Sequence, residues 1–79
     1  MSAWPQPDCT VYAVGLLCPV PLVRTGRAIA TLESGGVLEL IADDRGVLVD
    51  IPDWCTGHGH VYLGHRTENR TYHLFVRKR

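Results

Sequence analysis

The strongest local constraint on this chain is a pair of prolines, Pro19 and Pro21, set between an apolar segment and a helical pattern. The segment Cys9–Val14 is β-branched and apolar, as in a strand, and Gly15 ends it. Proline has no backbone N–H, which costs nothing in the first turn of a helix because those N–H groups have no partners there. The two prolines therefore predict a helix that begins just after the first strand.

Further elements follow from periodicity. The segment Leu22–Leu32 repeats apolar side chains with helical spacing, and Ser34-Gly35-Gly36 would end this helix. Val37–Ala42 is apolar enough to form a second strand that is buried on much of both faces. His60–Arg66 and Thr71–Arg77 alternate in polarity around a turn, which predicts a closing hairpin.

The segment between the second strand and the hairpin is ambiguous. Val47–Ile51 has the composition of a strand. However, Asp44 could cap a helix that begins at Arg45, and Pro52 would then kink or end it. Local composition favours a strand slightly, so the residues alone predict β-α-β-(α or β)-β-β and an α/β or α+β class.

Composition limits the class of protein. A chain of 79 residues has room for one domain, which we place at residues 9–79 after a flexible leader at residues 1–8. Eight basic and eight acidic side chains give no net charge, which argues against direct nucleic-acid binding. We find no apolar run long enough for a membrane span and no signal peptide, so we expect a cytoplasmic protein without a membrane partner.

Three cysteines, an odd number, indicate thiols in a reducing compartment. Cys18 lies at the start of the predicted helix, where unpaired N–H groups and the helix dipole favour an anion. This position predicts a thiol of lowered pKa and an exposed nucleophile. The alternative is that Cys18 is simply a small apolar side chain in the core.

The other two cysteines carry weaker signals. Cys9 is interpreted as a bystander, and Cys55 as a core residue packed beside Trp54, although the sequence leaves open a disulfide between Cys55 and Cys18. His58 and His60 follow Cys55 closely and could bind zinc or copper with it. The spacing of a structural zinc site is missing, so we predict no metal.

Several motifs occur together in one order. They are G-L-L-C-P-V-P at residues 15–21, L-E-L-I-A-D-D at residues 38–44, D-I-P-D-W-C at residues 50–55 and a Gly-His pair at residues 59–60. In this order the chain resembles the TusA/SirA family of small sulfur carriers. The resemblance runs from about Val11 to Lys78, and the combination is far more specific than the C-P-x-P element alone.

This resemblance implies an α/β two-layer sandwich of order β-α-β-α-β-β, with two helices on one face of a four-stranded mixed sheet. Residues 44–57 would then be mostly helical, against the slight local preference for a strand. We follow the resemblance here, because tertiary context overrides propensity in short segments.

The resemblance also implies a function. Cys18 would accept sulfane sulfur as a persulfide and relay it, with Gly15, Pro19 and Pro21 supporting the motif. The partners would be a protein sulfur donor of the cysteine desulfurase or rhodanese type and a protein acceptor, in tRNA thiolation, cofactor assembly or oxidative sulfur metabolism. Such a protein is a carrier in a sulfurtransferase relay rather than a turnover enzyme, and no cofactor is expected.

Three positions depart from the family pattern. The family usually has an acidic residue at the position of Tyr12 and basic residues at those of Val14 and Leu17, and all three are uncharged here. Without a basic neighbour, the helix field or a partner must favour the Cys18 thiolate. The alternative function is a small redox-sensing or regulatory module in which Cys18 is structural or regulatory.

Overall fold

A computed structural model describes residues 4–79 of the chain. The elements are β1 (Cys9–Ala13), α1 (Val20–Ile29), β2 (Val37–Ala42), α2 (Val47–His58), β3 (Val61–Glu68) and β4 (Thr71–Arg77). The strands form one sheet of order β1-β2-β4-β3, in which β1 and β2 are parallel and the other neighbours are antiparallel. The predicted two-layer sandwich with two helices on a mixed sheet is therefore confirmed.

The core lies between the helices and the sheet. Alternate residues of the two central strands are fully buried, as the period of two in a strand requires. Ile29 of α1 and Val47 of α2 join the same apolar cluster. The buried strand residues of this cluster are Leu38, Leu40 and Ala42 of β2 and Leu74 and Val76 of β4.

Helix α1 begins where the prolines predict. Pro19 is its N-cap residue and Pro21, in the first turn, is buried with Thr25 and Ile29. The helix is shorter than the predicted Leu22–Leu32 at its end, although helical turns continue through hydrogen bonds such as that from the Leu32 N–H to the Ile29 carbonyl (3.1 Å).

The segment that local composition assigned to a strand is helical, as the family resemblance implied. Val47, Ile51 and Cys55 lie four residues apart on one face of α2, and each is at most 1% exposed. Spacing by four is the repeat of a buried helix face, and it outweighs the β-branched composition of Val47–Ile51. Pro52 lies inside α2 and does not end it; the helix ends at Gly59, where a left-handed φ of 77° suits glycine.

The sheet face opposite the helices carries the N-terminal segment. The first three residues of the predicted leader lie outside the described residues. Trp4 stacks on Phe75 of β4 with ring centroids 4.9 Å apart, and a Cβ atom on Gly64 would lie 3.3 Å from the indole. Asp8 is held to β2, because its N–H donates to the Val37 carbonyl at 2.7 Å.

Candidate functional site

Two loops meet at one edge of the sheet. Strands β1 and β2 are parallel neighbours, so their carboxyl ends lie side by side. The loop after β1 runs through Cys18 into α1, and the loop after β2 runs through Asp44 into α2. The starts of both helices are therefore brought to the same place, although Cys18 and Asp44 are 26 residues apart in the chain.

The carboxylate of Asp44 ties these loops together. Its Oδ2 accepts a hydrogen bond from the Cys18 backbone N–H at 2.9 Å, and its Oδ1 accepts one from the Gly46 N–H at 3.1 Å. The preceding residue makes a second tie, because Asp43 Oδ1 accepts a hydrogen bond from the Gly15 N–H at 2.8 Å. Asp44 therefore caps the turn that leads into α2, as the sequence suggested, but the helix itself begins at Val47 rather than at Arg45.

The sulfur of Cys18 lies against the start of α2. The Cys18 side chain is partly exposed, and a Cβ atom on Gly46 would lie 3.2 Å from its Sγ. A glycine at this point therefore gives the sulfur its room. Asp50 lies in the first turn of α2, and its carboxylate has the largest effect on the pKa of the Cys18 thiol.

The electrostatics of Cys18 are the reverse of those expected from the sequence. The interaction with the Asp50 carboxylate, partial burial, and the nearby Asp44 together raise the pKa of the Cys18 thiol from 9.0 to about 12. The backbone N–H groups of Cys18 and Gly46 lower the pKa of Asp44, so this carboxylate is negative at neutral pH. The predicted lowering of the Cys18 pKa by the helix field is therefore wrong, because two carboxylates oppose it.

The residues predicted to support the motif lie in the loop before α1 and in the first turn of that helix. Gly15 has a φ of 85°, a left-handed conformation that favours glycine, and its N–H is bound by Asp43. Pro19 is the N-cap residue of α1 and Pro21 lies in its first turn, and the Val23 N–H donates to the Pro19 carbonyl at 3.0 Å. These residues fix the backbone on either side of Cys18.

Exposed apolar side chains surround the starts of the two helices. Leu17 precedes Cys18 in its loop, Val20 and Val23 lie on the first turn of α1, and Val49 lies on the first turn of α2. We call these four residues the apolar rim. Their exposed fractions are 73% for Leu17, 41% for Val20, 48% for Val23 and 65% for Val49.

The remaining candidates lie elsewhere. All three cysteines are free thiols, so no disulfide joins Cys18 to Cys55. Cys55 is buried in the core with Trp54 packed nearby, as predicted, and burial raises its pKa to about 11. The Trp54 ring lies 5.1 Å from the rings of both His58 and His60. Within residues 4–79 no three His, Cys, Asp or Glu side chains are grouped to hold a metal ion.

Comparison with known proteins agrees with the fold and the motifs. The sequence model of the family described as "Sulfurtransferase TusA" matches residues 10–78. The chain is 40% identical over 72 residues to the sulfur carrier protein TusA of Pseudomonas entomophila, covering 91% of this chain and 90% of that protein. It is 41% identical over 66 residues to the putative sulfur carrier protein YrkF of Bacillus subtilis, covering 84% of this chain but only 36% of that longer protein.

A solved structure gives the same result. The SirA-like protein of Desulfitobacterium hafniense superposes with a TM-score of 0.73 at 28% identity, covering 87% of this chain and 95% of that one. The fold and the site define a class of small two-layer α/β proteins, in which a loop carrying a cysteine leads into the first helix. Within that class, the chain belongs to the TusA family of sulfur carriers.

Proposed function

We propose that this protein carries sulfane sulfur as a persulfide on Cys18, between a protein donor and a protein acceptor. The observation that carries the proposal is the position of the Cys18 sulfur. It is partly exposed where two tied loops meet, within the segment that matches the family. A sulfur in this place can be reached by a sulfur atom of another protein.

The transfer needs two displacements at sulfur. The Cys18 sulfur attacks the outer sulfur of a donor persulfide R–S–SH, a new S–S bond forms on Cys18, and the donor S–S bond breaks. The donor leaves as R–S⁻ and takes up the proton that Cys18 loses. An acceptor thiolate then attacks the outer sulfur on Cys18 in the same way, and Cys18 returns to the thiol.

The proposed role is that of a carrier and not of an enzyme that turns over a small substrate. Cavities of about 300 and 440 Å³ occur among residues 4–79. The first is lined by Trp4, Glu39 and Arg66 among others, and the second by residues around Ser34, so neither is lined by Cys18. This arrangement supports transfer between protein surfaces. The proposed donor is a protein of the cysteine desulfurase or rhodanese type.

The alternative of a redox sensor is less well supported. Sensor cysteines are oxidised through an accessible thiolate of low pKa. Asp50 and Asp44 hold the pKa of Cys18 high in the isolated protein, which slows its reaction with a small oxidant. A protein partner can supply a charge that offsets the two carboxylates, whereas a small neutral oxidant such as a peroxide cannot.

The test is mass spectrometry after incubation with a cysteine desulfurase and L-cysteine. The wild type is expected to gain about 32 Da, one sulfur atom, and the gain should be removed by a reductant. The Cys18→Ser variant should gain nothing, whereas the matched Cys9→Ser variant should load like the wild type. Loading that persists in Cys18→Ser would refute the assignment.

A further inference from the structure

In the free protein, Cys18 is held as the thiol, which is a weaker nucleophile than the thiolate. Only the thiolate of a cysteine is a strong nucleophile. A pKa of about 12 leaves very little thiolate on Cys18 at neutral pH. A partner that takes part in transfer must therefore change the electrostatics of this site, if the proposed function is correct.

The charges that face Cys18 are all negative. Asp44 approaches from the loop before α2, and Asp50 from the first turn of α2. The side chains before and after Cys18 in its own loop are uncharged. Arg45 and Arg24 are exposed nearby in the chain, but neither is among the groups that shift the pKa of Cys18. In the described part of the chain, no cation offsets the two carboxylates at this sulfur.

Exposed apolar side chains lie on the same loops and helix starts as these carboxylates and Cys18. Single exposed apolar side chains are ordinary on protein surfaces. Here the apolar rim places four of them on the starts of α1 and α2 and on the loop between β1 and α1. Burial of such side chains against another protein removes water from the centre of the contact, where charge interactions then become stronger.

We propose that the apolar rim, together with Asp44 and Asp50 beside Cys18, is the docking surface for a protein partner that presents an arginine or lysine beside its own reactive sulfur. The partner's cation would lie against the two carboxylates. It would offset the negative field at Cys18, so that the thiol loses its proton in the complex as the S–S bond forms. This inference rests on the proposed function, since it assigns the chemistry of the partner to the same sulfur.

Charged model disulfides test this chemistry without a natural partner. Two short peptides, one with arginine and one with glutamate on both sides of a single cysteine, are each joined to 5-thio-2-nitrobenzoate through a disulfide. Attack by Cys18 on the peptide sulfur forms a Cys18–peptide disulfide and releases the coloured thionitrobenzoate anion, which takes the bonding electron pair. The protein carries Cys9→Ser, and the Cys9→Ser/Cys18→Ser variant gives the background rate.

We expect the arginine peptide to react about tenfold faster than the glutamate peptide at low salt. The ratio should fall to about twofold at about 0.5 M salt, because exposed charges are then screened. Asp50→Asn should reduce the low-salt ratio by about half or more, while it leaves the Asp44 bonds between the loops in place. Asp53→Asn, the same change of charge at an exposed position of α2, is the matched control and should keep the wild-type ratio.

A ratio near one in the parent protein, or an equal ratio in Asp50→Asn, would overturn the proposed docking chemistry. The rim is tested by Val49→Ser and two arginine peptides, one with leucine and one with serine next to the arginines. The substitution should lower the reaction rate of the leucine peptide more than that of the serine peptide. If Val49→Ser lowers the rates of both peptides equally, the rim is not part of the docking surface. Loading with inorganic polysulfide separates the two hypotheses: if Cys18 gains sulfur but shows no preference for cations, the carrier function stands and the docking chemistry fails.

Discussion

Cys18 and Cys55 both have raised pKa values, but for different reasons. Burial in the core raises the pKa of Cys55 to about 11. At Cys18 the interaction with the Asp50 carboxylate has the largest effect on the pKa, burial comes next, and Asp44 adds to both. The thiol of Cys55 is 1% exposed, whereas that of Cys18 is partly open to solvent.

This difference decides which thiol can be activated. Burial inside a core ends only when the fold opens, and opening costs much of the free energy of unfolding. At a partly exposed site, the effect of nearby carboxylates on a thiol is offset when a positive charge approaches. The two cysteines therefore have similar resting chemistry, but only Cys18 can change state within the folded protein.

The largest expected effect is on alkylation of the native protein at about pH 8. If only the pKa values of the two cysteines mattered, Cys55 would react about tenfold faster than Cys18. Access to Cys55 requires an opening that costs about 4 kcal/mol or more, a factor of about a thousand. We expect Cys18 to react with iodoacetamide about a hundredfold faster, as measured by peptide mass spectrometry over time. Faster labelling of Cys55 would contradict the comparison.

A second prediction concerns stability. Cys55→Ser places a hydroxyl in an apolar core and should lower the free energy of unfolding by about 2 kcal/mol. Cys18→Ser, at a partly exposed site, should lower it by less than about 1 kcal/mol. Urea unfolding followed by circular dichroism measures both. Equal losses would show that Cys18 also belongs to the core.

A third prediction isolates the carboxylate. Asp50→Asn removes the acceptor charge with the largest effect, so the pKa of Cys18 should fall from about 12 towards 9.0, by about one unit. The rate of alkylation of Cys18 against pH gives the midpoint in each variant. Asp53→Asn should leave the midpoint in place. An unchanged midpoint in Asp50→Asn would mean that burial, and not charge, controls Cys18.

The smallest effect is the pH dependence of stability due to Cys55. The fold raises the Cys55 pKa from 9.0 to about 11, so it favours the thiol over the thiolate. This contribution is fully present below pH 9.0 and is lost as the pH rises to about 11. The wild type should therefore lose about 1 kcal/mol relative to Cys55→Ala by about pH 10. A constant difference between the two proteins would exclude this linkage.

The order of elements could be predicted largely from the sequence. The prolines marked the start of α1, and the alternation in Thr71–Arg77 marked the strand that pairs with β2. The β-branched composition of Val47–Ile51 misled local reasoning, because burial at intervals of four residues overrides strand propensity. Only the resemblance to a family corrected that assignment.

The site was predicted in part. Cys18 and its loop could be found from C-P-V-P, but the effect of Asp44 and Asp50 on the sulfur could not. Their contacts with Cys18 depend on the parallel pairing of β1 and β2, which brings distant loops together. The sequence did hold a signal, since acidic residues follow β2 directly and recur in the first turn of α2. A dipole argument that counts only the local helix misses such charges.

Gly46 offers a way to separate docking from chemistry. Its φ of −58° and ψ of −27° are open to any residue, so the backbone accepts alanine. The added methyl group would lie 3.2 Å from the Cys18 sulfur without altering any surface charge. A protein with this one change would crowd the Cys18 sulfur while keeping the surface around it. Under the proposed function, such a protein would still bind its partners but would transfer sulfur poorly.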